Sequence, residues 1–213
     1  MTSLPHSPAR GVRMPRTERR AQLLGAAREV FVANGFHAAA MDEIAERAGV
    51  SKPVLYQHFP SKLELYLALL DDSAEQLLAR LHEALVSTDD NKQRVTATMA
   101  AYFDFVGDPT AGHRLLFESD LTNEPAVRSR LERFTAACAE EIALIIADDT
   151  GLPVEESTLL AIGLVGSAQV AARYWLQNGG SIPRGTAAEL VATLSWRGIR
   201  GFPMRDDERG SGR

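Results

Sequence analysis

The sequence predicts an all-α protein of about nine helices, with a three-helix head followed by a larger helical body. Apolar residues recur at spacings of three and four along most of the chain, which is the period of an amphipathic helix. Alanine and leucine are abundant and runs of β-branched residues are rare, which favours helix over strand. Glycine and proline punctuate the apolar stripes at intervals, as expected where helices end.

The predicted domains carry charge of opposite sign. Residues 1–62 hold 9 Lys and Arg against 5 Asp and Glu, whereas the remaining residues hold 14 against 23, for a net charge of −5. A basic head on an acidic body concentrates attraction for phosphate in one place. We expect a disordered basic arm over 1–15, a helix-turn-helix domain over 16–62, a body over 63–202 and a flexible tail over 203–213.

The head contains the pattern of a helix-turn-helix. A first helix over 16–34 carries an apolar stripe and stops at Gly35, and a second helix runs over 41–48. Gly49 follows at once, where a left-handed residue ends a helix. Ser51 stands where an N-cap is needed and Pro53 falls in the first turn of a third helix. Helix, glycine-containing turn and helix together predict this motif.

The outward side of the third helix suits a DNA groove. Lys52, Tyr56 and Gln57 lie opposite the apolar anchors, and the sequence has no acid between Ser51 and Lys62. Hydrogen-bond donors, an aromatic ring and a cation match base edges and phosphates in a major groove. The competing interpretation is an ordinary helical hairpin with a polar face.

The stretch 16–70 resembles the DNA-binding domain of the tetracycline-repressor (TetR) family of bacterial regulators. The resemblance rests on Asn34-Gly35-Phe36 and on the runs MDEIAERAGVS and LYQHFPSKLEL. Ala40 departs from the family pattern, because many members have Thr or Ser there to cap the helix and touch phosphate. The resemblance implies DNA contacts from Arg16, Ala40 (through backbone N–H groups), Lys52, Pro53, Val54, Tyr56, Gln57, His58 and Lys62.

The body is predicted to be a series of helices with marked stops. Ser61 should cap a long fourth helix that ends near Leu85, with Glu64 at the spacing of a capping box. Further helices are expected over 91–106, 111–121, from 124–125 to about 150, 154–178 and 186–201.

The helix over 154–178 is apolar on two sides, as in a helix that serves both a core and a partner. Two glycines in its interior each cost about 1 kcal/mol relative to alanine, so a close-packing role is expected. Pairing this helix and the last one with their copies gives a four-helix interface, and the resemblance implies the same two-fold homodimer. The predicted interface residues are Leu159, Gly163, Gly166, Val170, Leu190 and Leu194.

Aromatic residues on the body helices are, taken singly, ordinary core. The TetR resemblance implies that together they line an effector cavity. Arg173 is the exceptional charge, able to pair with an anionic head group or with an acid such as Glu118. The predicted ligand residues are Tyr102, Phe103, Val106, Leu115, Phe117, Leu121, Phe134, Cys138, Leu164, Arg173 and Trp175.

A narrower resemblance concerns the effector. The runs VSKPVLYQHFPSKLELYLALL, HRLLFESD, IGLVG and ARYWL are similar to an actinobacterial TetR subgroup that controls fatty-acid synthesis and responds to long-chain acyl-CoA. That resemblance implies an apolar tunnel with polar groups for a CoA head. One alternative is a repressor of a multidrug efflux gene, which needs buried acids such as Glu118 or Asp104. Another is a protein-binding helical module without DNA activity.

Catalysis, cofactors and metals are not expected. The five histidines have no metal-ligand spacing, no phosphate loop or nucleophile motif is present, and Cys138 lies on an apolar stripe. The sequence shows neither a signal peptide nor an unbroken apolar run long enough for a membrane span. We therefore expect a cytoplasmic regulator that binds double-stranded operator DNA, a small apolar effector and a second copy of itself.

Overall fold

The computed structural model is an all-helical chain and describes residues 14–108, 121 and 123–199. The predicted helix over 111–121 falls almost wholly outside these residues, as do residues 1–13 of the arm and the tail. The eight described helices are α1 (Arg16–Ala38), α2 (Met41–Arg47), α3 (Lys52–His58), α4 (Lys62–Val86), α5 (Asn91–Val106), α6 (Pro125–Thr150), α7 (Val154–Gln177) and α8 (Arg184–Ile199).

Two glycines set the geometry of the head. Gly35 interrupts α1 with φ 73° and ψ 171°, and Gly49 ends α2 with φ 63°. Both predicted stops are confirmed, because these conformations disfavour any residue with a Cβ. The predicted end of α1 was too early, since a further helical turn reaches Ala38 after the break.

The predicted caps had different outcomes. Ser61 caps α4, accepting a hydrogen bond from the Glu64 backbone N–H at 3.1 Å. Ser51 occupies the N-cap position of α3, but its side chain makes no capping bond with the described chain. The reason is local, because Pro53 has no N–H and the Val54 N–H donates to the Ser51 carbonyl at 3.0 Å.

The long helix α4 belongs to both parts of the molecule. It packs against α1 in the head and against α5 and α6 in the body. Two adjacent carboxylates tie it to both sides, with Asp72 paired to Arg28 of α1 and Asp71 at 3.0 Å from Arg130 of α6. The apolar core is continuous through this helix from head to body.

The remaining body helices form two packed pairs, α6 with α7 and α5 with α8. Among the described helices, α7 has the length and apolar composition of a membrane span, yet only 22% of that stretch is buried. The core helices of water-soluble proteins can have the same length and apolar composition. The unusual property of α7 is therefore a large apolar surface that the described helices leave uncovered.

Candidate functional site

Helix α3 stands on the head with its predicted outward side open. Leu55 and Phe59 are fully buried beneath it, while Lys52, Pro53 and Gln57 are exposed. Tyr56 is 40% exposed, and Val54 is half-buried. Burial of two anchors four residues apart fixes the rotation of the helix, so the sequence alone determines which residues face outward.

One exposed ion pair lies at the start of this face. The Lys52 ammonium is 2.7 Å from the Asp42 carboxylate of α2. The hydrogen bond and charge of Asp42 raise the pKa of Lys52, so the lysine is charged at pH 7. Because both side chains are exposed, the pair contributes little to stability, and its main effect is to offset part of the positive charge of α3.

A cluster of positive charge flanks the end of α3. Burial, and then the charges of Arg16, Arg20 and Arg19, lower the pKa of His58. The ring is therefore neutral at pH 7 and offers a hydrogen bond rather than a charge. The Arg20 guanidinium lies 4.5 Å from the centroid of the Phe59 ring, which holds one of these cations near the C-terminal end of α3.

Lys62 does more than the sequence suggested. Its ammonium donates to the carbonyls of His37 at 3.2 Å and Ala39 at 2.9 Å and lies 4.6 Å from the centroid of the Phe36 ring. It thereby fastens the turn before α2 and places a positive charge near the N-terminus of that helix. Ala40 is the N-cap residue of α2, so only backbone groups are available for phosphate there.

Several contacts that fix the head were not predicted from the sequence. Gln22 donates to the Ala48 carbonyl at 2.8 Å, and the Asn34 amide donates to the Glu43 carboxylate at 3.0 Å. Phe36 packs edge-on against Tyr66 with ring centroids 5.2 Å apart. Asn34 and Phe36 belong to the family motif, which was the available signal for their roles. The bond of Gln22 to the Ala48 carbonyl had no signal in the sequence, because its acceptor is a backbone atom.

The body contains a partly open, mainly apolar cavity of about 340 Å³ lined by residues of α4 to α8. This volume lies within the ordinary range for small-molecule sites. Four predicted ligand residues lie on its wall: Tyr102, Phe134, Cys138 and Leu164. The wall also includes apolar residues that were not predicted: Leu81, Leu85, Val95, Met99, Ile142, Ile145, Ile146, Val165, Ala168 and Trp196.

Other predicted ligand residues lie away from this wall. Phe103 and Val106 are fully buried in the core, and the Phe103 ring packs against Trp175 with centroids 5.8 Å apart. Arg173 is exposed on α7, and Leu121 is half-buried outside the cavity. Leu115, Phe117 and Glu118 fall outside the described residues. Helical periodicity identified the buried face but not which part of it borders empty space.

The deep part of the cavity is uncharged. Burial raises the pKa of the Cys138 thiol to about 12, so Cys138 is a neutral, unreactive thiol at pH 7. Burial also raises the pKa of the Tyr102 hydroxyl. Within the described part of the chain, no group of three or more His, Cys, Asp or Glu side chains is placed to hold a metal ion.

The two charged residues of the cavity wall lie together, although Thr98, Gln169 and Ser195 also line the cavity. Asn91 and Arg94 of α5 meet Asp149 and Thr150 of α6 there, beside the C-terminal turn of α4. The Arg94 side chain is only 15% exposed, so a cation forms part of an otherwise apolar enclosure. The sequence prediction had placed the cation at Arg173 instead.

The predicted dimer residues on α7 and α8 are exposed, except for Gly166, which is half-buried. Leu159, Val170 and Leu194 are each about 70% exposed, and Leu190 is also exposed. A Cβ added at Gly163 or Gly166 would meet no described atom within 4 Å in one chain. These glycines are therefore not required by packing inside the protomer.

Comparisons with known proteins agree with this architecture. A profile described as bacterial regulatory proteins, tetR family, matches residues 23–69. The HTH-type transcriptional activator FasR of Mycolicibacterium smegmatis is 48% identical over 195 residues, which cover 92% of this chain and 89% of that protein.

Solved structures extend the similarity to the fold. A TetR-like transcriptional regulator from Rhodococcus sp. RHA1 has a TM-score of 0.69 and 30% identity, over 89% of this chain and all of that one. The transcriptional regulator FadR from Bacillus subtilis, in complex with stearoyl-CoA, has a TM-score of 0.66 over 82% of this chain and 96% of that one. At 21% identity, the latter shows the fold alone. The chain belongs to the tetR family of bacterial regulatory proteins and is a DNA-binding transcription regulator.

Proposed function

We propose that this regulator is a homodimer whose hold on operator DNA responds to a long-chain acyl-CoA or a similar amphipathic lipid in the body cavity. The carrying observation is the apolar enclosure of about 340 Å³ bordered by α4, the helix whose first turn supports the DNA-binding head. The similarity to the transcriptional activator FasR supports regulation of transcription, and the stearoyl-CoA in the structure of FadR supports a lipid effector.

In this proposal α3 enters a major groove of operator DNA. Lys52, Pro53, Tyr56 and Gln57 face the base edges and the adjacent backbone, with Val54 beside them. Arg16, His58 and Lys62 flank the groove, and backbone N–H groups after Ala40 meet a phosphate at the start of α2. Exposure of these side chains and the surrounding arginines support this orientation.

Dimerisation through α7 and α8 completes the proposed regulator. Their exposed leucines and valine form an apolar surface of the kind that marks protein interfaces. A two-fold dimer also sets two recognition helices about one turn of DNA apart, roughly 34–36 Å. The protein would act in the cytoplasm, where the bacterial chromosome lies.

An efflux-type pocket for aromatic cations has less support. Asp104, one of its candidate acids, pairs with Arg184 at 2.9 Å and lies away from the cavity wall. The described wall carries one acid, Asp149, and a cation stands beside it. The electrostatic balance therefore favours a neutral chain or an anionic ligand over a cation.

The test is a titration of the protein with stearoyl-CoA, with acetyl-CoA as a control that keeps the head group and removes the chain. At 100 times Kd, ligand stabilises the folded state by about 2.7 kcal/mol, which raises Tm by roughly 5–10 °C. We expect this shift, together with altered binding to operator-containing genomic fragments, for stearoyl-CoA alone. Stearoyl-CoA that changes neither Tm nor DNA binding would exclude this effector class and leave the tetR-family assignment intact.

A further inference from the structure

The polar end of the cavity contains a cation that is held in place but only loosely neutralised. Arg94 Nε donates to the Leu85 carbonyl at 2.9 Å, and Nη1 donates to Asn91 Oδ1 at 2.5 Å. Both acceptors are uncharged groups from neighbouring turns. They fix the plane of the guanidinium without offsetting its charge.

The carboxylates near Arg94 lie beyond good hydrogen-bond distance. Asp149 Oδ2 is 3.5 Å from Nη1, and Asp89 Oδ1 is 4.0 Å from Nη2. Asp89 is fully exposed, so water screens its charge. Arg130 offers a contrast within the same fold, because its Nε lies 3.0 Å from the Asp71 carboxylate. Arg94 therefore has room for a closer anion.

Asp149 is itself poorly placed as a permanent partner. It lies in the last turn of α6, where the helix dipole disfavours negative charge. An arriving anion at Arg94 would compete with Asp149 for the guanidinium. Asp149 has access to water, with a side chain 32% exposed, so it can be displaced without being left buried and unpaired.

We propose that Arg94 receives the anionic head of an amphipathic ligand whose chain fills the apolar part of the cavity, and that Asp149 occupies this position when the ligand is absent. This inference rests on the proposed function and specifies how that site selects its ligand. The head group is a carboxylate, or a phosphate of an acyl-CoA, since either pairs with a guanidinium. Arg173 is exposed and does not line the described cavity wall, so the proposal does not involve it.

The experiment compares palmitate, palmitoyl-CoA and the uncharged 1-hexadecanol on three proteins: wild type, Arg94→Gln and Asp149→Asn. Removing a charge-assisted hydrogen bond should weaken binding of a charged probe by about tenfold or more. We expect that loss in Arg94→Gln for palmitate or palmitoyl-CoA, with hexadecanol binding changed by less than about twofold. The probe that loses affinity identifies the head group as carboxylate or CoA phosphate.

Asp149→Asn should change the affinity for the charged probe in the opposite direction. Removing the competing carboxylate should strengthen binding of the same charged probe several-fold and leave hexadecanol binding unchanged. Because both variants alter one end of one cavity, opposite effects on a charged ligand exclude general damage to the fold. Comparing charged and uncharged probes on each variant also cancels any change in stability.

Equal losses of palmitate, palmitoyl-CoA and hexadecanol binding in Arg94→Gln would overturn the inference, because Arg94 would then only brace the end of α4. Weaker charged-probe binding in Asp149→Asn would overturn it as well. Both results leave the proposed function standing, since the wild type still binds lipid. Failure of wild-type protein to bind any of the three probes would instead reject the proposed function and the inference together.

Discussion

The head and the body differ in how far the groups and surfaces of each are paired or covered within one chain. In the head, polar side chains donate hydrogen bonds within the same domain: Gln22 to the Ala48 carbonyl, Asn34 to Glu43 and Lys62 to the turn before α2. In the body, apolar surface is left open twice, inside as a cavity and outside along α7 and α8. The head thus finds its partners within the chain, including α4, whereas the body has two surfaces that suit further occupants.

This difference predicts that similar substitutions have different effects in the two regions. Truncations should be most harmful where packing is complete and mild where empty space already exists. Enlargements should be tolerated within the protomer at the open faces and should interfere only with what covers them.

The largest expected effect is that of Leu55→Ala in the head. Leu55 is fully buried under α3, and replacing such a leucine by alanine lowers the free energy of unfolding by about 2–5 kcal/mol. Leu164→Ala on the cavity wall is the comparison. Leu164→Ala should lower the free energy of unfolding by less, about 1–2 kcal/mol, because Leu164 is only half-buried and borders the cavity. Urea unfolding of both variants measures the difference, and equal losses would contradict the contrast between the regions.

An intermediate effect is expected for Gly166→Leu on α7. No described atom of the same chain lies within 4 Å of the new Cβ, and leucine favours helix over glycine by up to about 1 kcal/mol. The protomer should keep or gain stability. Overpacking an interface by about 1–3 kcal/mol should weaken the proposed dimer about tenfold or more.

Gly25→Leu on α1 is the control, since Gly25 is also a helical glycine with open space at its Cβ and lies in the head, away from α7 and α8. Sedimentation over a range of concentrations should show a dimer for Gly25→Leu and dissociation for Gly166→Leu. A dimer of unchanged affinity in Gly166→Leu would place the interface elsewhere.

The smallest expected effect concerns the charge on α3. Asp42→Asn removes the carboxylate that lies 2.7 Å from Lys52, which frees the cation for phosphate. Two unit charges about 4 Å apart in water interact by ~1 kcal/mol, so DNA affinity should rise about fivefold at low salt. The measurement is fluorescence anisotropy with operator-containing DNA.

Glu43→Gln serves as its control, because it makes the same change of charge in the first turn of α2 but removes a partner of Asn34 rather than of Lys52. Its effect on DNA affinity should be smaller. If both variants bind equally well, Lys52 does not contribute to DNA binding through its own charge.

The sequence predicted the head in more detail than the body. Gly35, Gly49 and Ser61 are residue types that mark a helix break, a helix end and a helix start. These boundaries could therefore be located approximately from the local sequence. The anchors Leu55 and Phe59 then determined the outward face of α3. Ser51 was the local exception, because Pro53 removes one N–H that its side chain could have capped.

The cavity could be predicted only as an apolar neighbourhood. Phe103 and Phe134 both lie on an apolar stripe of a predicted helix. In the structure, however, Phe103 packs against Trp175, whereas Phe134 borders the cavity. That distinction depends on how five helices cross, which no single stripe encodes. Arg94 was overlooked for the same reason, since two of its partners, Leu85 and Asp149, come from the ends of other helices.

Helix α4 has a mechanical consequence because it touches both the head and the cavity. Its 25 residues form a rod of about 37 Å, with Lys62 braced against the turn before α2 at one end and Leu81 and Leu85 on the cavity wall at the other. A tilt of only about 5° about one end moves the other by about 3 Å over that length. In the proposed mechanism, a ligand that displaces Leu81 and Leu85 would therefore pass a movement of similar size along this rod to the turn that Lys62 holds, and so to the recognition helix.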